Sequence, residues 1–87
     1  MQAEAHPCIP DYLVAVIEQI AAGLTNEQVG RRLGLSPHTV ATYIADARLR
    51  LGASDRAELV ARCFVIGLLS VDAWPPRRSG RCRRQGA

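Results

Sequence analysis

The chain carries two consecutive helix signals separated by only a few residues. Thr25 followed by Gln28 is the pattern of a capping box, in which each side chain satisfies a free backbone N–H group of the first helical turn. Gly34 is predicted to end this helix, because glycine readily adopts the left-handed conformation that closes a helix. Ser36 and Pro37 then supply an N-cap hydroxyl and a proline at the first helical position. The sequence therefore predicts two helices joined by a very short turn.

These two helices, predicted over residues 25–33 and 36–51, have the spacing of a helix-turn-helix. Gly30 has no side chain and lets the helices approach closely, while Gly34 lets the chain reverse within a few residues. In such an arrangement the second helix protrudes from the surface. It is then able to enter a DNA major groove, which is about 12 Å wide.

Apolar residues recur at helical spacing on both sides of this pair. The preceding stripe consists of Leu13, Val16, Ile17, Ile20, Ala21 and Leu24, and it predicts an amphipathic helix that begins at Asp11. After the pair, Ser54 is predicted to cap a fourth helix over residues 54–69. The fold class that follows is all-α, a four-helix domain that contains a helix-turn-helix.

Three parts of the chain differ in composition. Residues 1–10 contain two prolines and no periodicity, which predicts a loose N-terminal arm. Residues 11–71 form the predicted helical domain, and residues 72–87 are basic and predicted to be a disordered tail. Residues 1–74 hold six Arg and eight acidic residues, whereas the remaining residues hold five Arg and no acid. Binding of DNA by the helical body must therefore depend on local basic patches.

Composition and spacing argue against several other classes of protein. Hydrophobic residues make up 48% of the chain, yet the sequence has no uninterrupted run of about 18 apolar residues that would predict a membrane span. The first residues lack the pattern of a secretion signal, so we expect a cytoplasmic protein.

The sequence also lacks the residue groups of a metal site or a catalytic site. Cys8, Cys63 and Cys82 are far apart, and only His6 and His38 accompany them, so neither a metal site nor a disulfide framework is predicted. The sequence shows no nucleophile with a base, no carboxylate pair and no phosphate-binding glycine loop. We therefore expect no catalytic residues, no cofactor and no enzymatic activity.

Over about residues 9–69 the chain resembles the LuxR-type (GerE-like) helix-turn-helix DNA-binding domain. The resemblance is carried by five motifs in a fixed order, which are GLTNEQV from residue 23, RRLGLS from 31, TV from 39, LGA from 51 and DRAELV from 55. It implies four helices, of which the third reads DNA and the fourth often pairs two domains on inverted half-sites. The family usually joins this domain to a receiver or ligand-binding domain. The 87 residues contain neither, so a stand-alone regulator is expected.

The resemblance implies two sets of DNA-binding positions. The positions expected to contact backbone phosphate are Thr25, Asn26, Ser36, His38, Thr39 and Tyr43. The positions expected to face the groove are Ala41, Thr42 and Ala45, with Asp46, Arg48 or Arg50 further along. The family commonly has Lys or Arg at the positions of Ala41 and Ala45. This chain therefore offers methyl groups, which fit thymine methyls, in place of the bidentate contacts to guanine.

Several residues keep two interpretations at this level. Arg31 and Arg32 either bind phosphate or form a solvated helix face. Asp46 either accepts a hydrogen bond from cytosine or pairs with Arg50 one turn later. The basic tail either contacts DNA or keeps the protein soluble; its arginines are Arg77, Arg78, Arg81, Arg83 and Arg84.

Two functional hypotheses follow. The first is a sequence-specific transcription regulator that binds double-stranded DNA as a homodimer, reads the major groove with helix 36–51 and dimerises through helix 54–69. Its expected dimer interface comprises Leu59, Val60, Cys63 and Phe64.

The alternative hypothesis is a protein-interaction module that keeps the fold and binds another regulator or a polymerase subunit. Its expected surface is an apolar patch formed by Tyr12, Leu13 and Val14. The same patch has a second interpretation, in which the chain itself covers it. The candidates for covering it are the N-terminal arm or Leu68, Leu69 and Trp74.

Overall fold

Four helices form the domain in the computed structural model, which describes residues 9–80. They are α1 (Asp11–Ala21), α2 (Asn26–Leu33), α3 (Pro37–Leu51) and α4 (Arg56–Val65). Within the described range the chain forms no β-strand, apart from one isolated bridge between Leu69 and Arg78. The predicted all-α, four-helix fold is confirmed. Most of the predicted N-terminal arm and residues 81–87 of the predicted tail lie outside the described residues.

The predicted helix ends at the helix-turn-helix are found in the structure. The Thr25 hydroxyl accepts from the Gln28 backbone N–H at 3.1 Å, and the Gln28 side chain accepts from the Thr25 N–H at 2.9 Å. Gly34 ends α2 with a φ of 73°, and the Ser36 hydroxyl accepts from the Thr39 N–H at 3.0 Å. Side chains therefore cap the starts of both helices, and a left-handed glycine ends α2.

Helix α4 begins and ends differently from the prediction. Its N-cap is Asp55, whose carboxylate accepts from the Glu58 N–H at 2.8 Å, rather than Ser54. Ser54 instead donates its backbone N–H to the Glu58 carboxylate at 2.8 Å. This bond and the neighbouring Arg62 lower the pKa of Glu58. The helix ends at Val65, and residues 66–69 leave the helical path, so the predicted helix over 54–69 was too long.

The hydrophobic core is a single cluster to which all four helices contribute. The core residues that are almost fully shielded from solvent are Leu13, Val16, Ile17, Val29, Val40, Ala47, Leu59 and Cys63. Helix α1 supplies three of them, and it packs against each of the other three helices. Burial of this apolar surface is the main stabilising contribution to a domain of this size.

The chain after α4 folds back over α1, and we call residues 66–80 the C-terminal strap. Its two limbs are joined by hydrogen bonds from the Ser70 N–H to the Arg77 carbonyl at 2.7 Å and from the Ser79 N–H to the Leu68 carbonyl at 2.9 Å. The Arg78 guanidinium reaches Glu18 and Asp11 on α1, each at 3.2 Å. The hydrogen bonds to Glu18 raise the pKa of Arg78. The disordered tail expected from residue 72 is therefore ordered over residues 72–80.

The apolar patch expected at the start of α1 is covered by the chain itself. Leu13 and Val14 are 0% and 3% exposed, and they share the core cluster with Ile9, Leu68 and Leu69. Tyr12 remains partly exposed at the edge of this region. Trp74, one of the residues expected to cover the patch, is 73% exposed. Leu13 and Val14 are thus core residues, and their assignment to a partner-binding patch was wrong.

None of the helices within residues 9–80 combines the length and the apolar character that crossing a bilayer requires.

Candidate nucleic-acid interface

The turn between α2 and α3 is held against α2 at a glycine. The Leu35 N–H donates to the Gly30 carbonyl at 2.8 Å, and a Cβ atom added at Gly30 would collide with the Leu35 carbonyl oxygen. Gly30 is itself buried. Only a residue without a side chain allows this approach, so the sequence at position 30 sets how closely α3 packs against α2.

The inner face of α3 is anchored in the core, and its outer face is open. Val40, Ile44 and Ala47 are buried, whereas Ala41 and Ala45 are exposed. Thr42 is also exposed, and its hydroxyl donates to the His38 carbonyl at 3.1 Å. The oxygen of that hydroxyl therefore remains available as an acceptor.

Leu49 extends this outer face and was missed by the sequence analysis. Its side chain is 83% exposed. It follows Ala41 and Ala45 at steps of four residues, which places all three on one side of α3. The same spacing rule that located the buried stripe would have located Leu49.

The start of α3 presents a free backbone donor at His38. The Ser36 hydroxyl accepts from the Thr39 N–H and donates to the Thr39 hydroxyl, both at 3.0 Å, and Pro37 has no N–H. Among the described residues nothing accepts from the His38 N–H, which therefore points out of the first turn. One turn further, Tyr43 packs its ring against Tyr12 of α1, with ring centroids 5.0 Å apart. This contact fixes the Tyr43 ring beside the open face of α3.

The start of α2 is tied to α4 by an arginine. Asn26 accepts from Arg56 at 2.6 Å through its side-chain oxygen, and the Leu24 carbonyl accepts from the other end of the same guanidinium at 2.5 Å. Arg56 was not among the predicted site residues. It lies 30 positions from Asn26, and no local pattern connects residues so far apart.

Residues 14–63 match the family model described as bacterial regulatory proteins, luxR family. The match spans more than half of the chain and includes the whole of α2 and α3. The chain belongs to the luxR family. No curated protein and no solved structure gave a match.

Three charged side chains of the luxR-family domain are engaged within α3 and the turn that follows it. Asp46 pairs with Arg50 at 2.9 Å, which is the pairing that the sequence offered as one of two interpretations. Arg48 donates to the Ser54 carbonyl at 2.5 Å, and its Nε atom is buried. The Arg48 side chain therefore packs on the α3–α4 turn, and its expected position at the groove was wrong.

Arg31 and Arg32 are exposed in the last turn of α2. They line a shallow depression together with Gly23, Leu24 and Gln28. Neither arginine forms an ion pair with a carboxylate of residues 9–80. Both remain available to bind an anion.

Two of the four residues expected at a dimer interface belong to the core of the luxR-family domain. Leu59 and Cys63 are each 0% exposed, so they cannot contact a second copy. Burial raises the pKa of the Cys63 thiol to about 11. Val60 and Phe64 are half-buried against the core. The face of α4 that points outward instead carries Ala57, Ala61 and Val65, which follow one another at steps of four residues.

Proposed function

We propose that this protein is a sequence-specific DNA-binding transcription regulator that inserts α3 into the major groove of double-stranded DNA. Membership of a family of bacterial regulatory proteins supports regulation as the role. The observation that carries the proposal is the open face of α3 at Ala41, Thr42 and Ala45, opposite a buried anchor. A helix fixed on one side and open on the other is what groove reading requires.

The chemistry of this face favours contacts with thymine. Ala41 and Ala45 present methyl groups that can pack against the thymine methyl, and the Thr42 oxygen can accept from an exocyclic amine. Neither contact replaces a bidentate arginine–guanine pair, which contributes about 1–3 kcal/mol of discrimination. We expect selectivity from the sum of several weak contacts, together with the shape of the DNA.

Phosphate contacts fix the register of α3 in the groove. The open N–H of His38 lies at the start of α3, and Thr25 and Asn26 lie at the start of α2. Helix starts favour anions because their N–H groups and the helix dipole point toward the ligand. These residues supply affinity and orientation, while the face of α3 supplies sequence preference.

We further propose that two copies bind inverted half-sites through the outer face of α4. The small exposed residues Ala57 and Ala61 permit close approach of a second α4. A single module of this kind is expected near the non-specific range of about 10⁻⁴–10⁻⁶ M. Linking two modules multiplies the affinity without any new base contact.

A charge placed on the reading face tests the proposal. In fluorescence anisotropy with a pool of random-sequence duplexes, Ala45→Glu should abolish binding, because it sets a carboxylate against the DNA. Val71→Glu adds the same charge at a residue that is 80% exposed in the C-terminal strap, and it should bind like the wild type within about two-fold. Equal binding by both variants would place the DNA contact elsewhere. Absence of binding by the wild-type chain would reject the function.

The alternative role as a protein-interaction module loses the surface on which it depended. Leu13 and Val14 are buried in the core cluster with Ile9, Leu68 and Leu69, so within residues 9–80 only Tyr12 of the expected patch remains exposed. We retain DNA binding as the proposed function.

A further inference from the structure

Arg56 makes an unusual set of contacts for a half-buried arginine. Its guanidinium donates to two neutral oxygens, the side-chain oxygen of Asn26 and the backbone carbonyl of Leu24. It forms no ion pair with any carboxylate of residues 9–80. A partly buried cation without a counterion is costly, because water solvates it only in part.

The position of Arg56 adds to the energetic cost of its unpaired charge. Its Asn26 partner is the first residue of α2, so the guanidinium lies at the positive end of the α2 dipole. A cation is disfavoured at a helix start, whereas an anion is stabilised there. The combined field of Arg56 and the helix start therefore attracts a negatively charged ligand.

The contact between Arg56 and Asn26 also determines which way the amide of Asn26 points. Arginine has only hydrogen-bond donors, so the Asn26 atom that faces it must be the oxygen. The amide nitrogen then points away from Arg56 with its two N–H groups. A flipped amide would place donors against donors, so the orientation follows from chemistry.

We propose that Arg56, from α4, completes a phosphate site at the start of α2. It orients the Asn26 amide as a donor to the DNA backbone and supplies the positive charge of the site. The inference rests on the proposed function and deepens it, because it adds a residue from outside the two helices of the helix-turn-helix. In this role Arg56 is a positioning residue, and Asn26 is the residue that contacts the phosphate.

The orientation of Asn26 can be tested without DNA. In the ¹⁵N-labelled full chain, the Asn26 side-chain NH₂ group should give a rigid pair of resonances with a high heteronuclear NOE. Arg56→Ala should lower that NOE and move both resonances toward the values of a free amide. Arg62→Ala removes an arginine from the same helix that pairs with Glu58 instead, and it should leave the Asn26 amide unchanged. An unchanged Asn26 amide in Arg56→Ala would overturn the proposal.

The role of Arg56 in DNA binding is tested by a double-mutant cycle, in which fluorescence anisotropy measures the affinity of each variant for one duplex. Asn26→Ala and Arg56→Ala should each weaken binding by about 2- to 10-fold, the range of one net hydrogen bond. The double variant should lose little more than Arg56→Ala alone, because the Asn26 amide is no longer oriented once Arg56 is removed. Full additivity, or normal binding by Arg56→Ala, would overturn the proposal and leave the proposed function intact.

Two further controls distinguish a variant that does not fold from a wild-type chain that does not bind DNA. Should Arg56→Ala fail to fold by circular dichroism, Arg56→Lys keeps the charge and loses the two-oxygen contact, so it should weaken binding at an unchanged fold. Normal DNA binding by Arg56→Lys would then contradict the proposal that Arg56 orients the Asn26 amide. A wild-type chain that binds no duplex would reject the proposed function and the phosphate role together. The amide spectra would still decide whether Arg56 orients Asn26.

Discussion

Gly30 and Gly34 contribute to the helix-turn-helix in different ways. A Cβ at Gly30 would collide with a backbone oxygen, whereas a Cβ at Gly34 would meet nothing within 4 Å and would only be strained by the positive φ of 73°. We expect Gly30→Ala to lower the free energy of unfolding by about 3 kcal/mol, because a backbone atom cannot rotate aside. Gly34→Ala should cost about 1 kcal/mol. Urea unfolding of both variants gives the comparison, and a smaller loss for Gly30→Ala would contradict it.

The buried thiol of Cys63 predicts a loss of stability at alkaline pH. Its pKa is about 11 in the folded chain and close to 9 when exposed, so the unfolded state releases its proton first. The protonated thiol makes its full contribution to the free energy of unfolding below pH 9. This contribution is lost as the pH rises toward 11, which lowers the free energy of unfolding by at most about 3 kcal/mol. Urea unfolding at pH 8 and pH 10.5 should show a smaller decline for Cys63→Val than for the wild type. Equal declines would mean that the thiol titrates normally in the fold.

Residues that interact across one helical turn were predictable, and residues joined by the tertiary fold were not. The Thr25 and Gln28 capping box and the Asp46–Arg50 pair follow from spacings of three and four. The contact between Arg56 and Asn26 depends on how the start of α4 packs against the start of α2. No periodic pattern in the sequence predicts that packing. The candidate site was therefore predicted at the starts of α2 and α3, without the residue that joins α2 to α4.

At the level of whole elements, α4 shows why a helix end is harder to predict than its centre. Apolar residues continue from Cys63 to Leu69, and this continuity predicted a helix over 54–69. The chain leaves the helix after Val65, and Gly67 takes a φ of 82°. Leu68 and Leu69 are then buried by the turn rather than by a helical face. Apolar character alone predicts that a residue is buried. It does not show whether the residue is buried on the face of a helix or by a turn of the chain.

The C-terminal strap should stabilise the domain through its leucines more than through its arginine. Leu69 is 2% exposed, and Leu69→Ala should cost about 2–5 kcal/mol in urea unfolding. Arg78 is 40% exposed on its side chain and bonds to Glu18 and Asp11 at the surface, so Arg78→Ala should cost less than about 1 kcal/mol. The reverse order would show that the ion pairs hold the strap. A truncation used in DNA-binding experiments should retain residues 1–80, because a shorter chain would lose part of the strap.

For the molecule as a whole, the distribution of unpaired charge matters more than the net charge of +3. Within residues 9–80, three arginines are neutralised by ion pairs with acids: Arg50, Arg62 and Arg78. The arginines without an acidic partner in that range are Arg31, Arg32, Arg48, Arg56 and Arg77. Two of these, Arg31 and Arg32, lie on α2, and Arg56 contacts its start. A body whose basic and acidic residues nearly balance can therefore still present a local positive field beside α3.

Dimerisation is a property of the whole molecule, and the outer face of α4 makes it testable. Ala61 lies at the centre of this face between Ala57 and Val65, so Ala61→Glu would set two carboxylates against each other in a symmetric pair. A duplex with two inverted half-sites, taken from a binding selection, should bind the wild type at least about 100-fold more tightly than a duplex with one half-site. Ala61→Glu should remove that advantage and leave binding to the single half-site unchanged. Val71→Glu controls for the added charge and should keep the full advantage. Loss of single-site binding in Ala61→Glu would show that α4 acts on DNA contact itself, and an undiminished two-site advantage would place the dimer interface on another face.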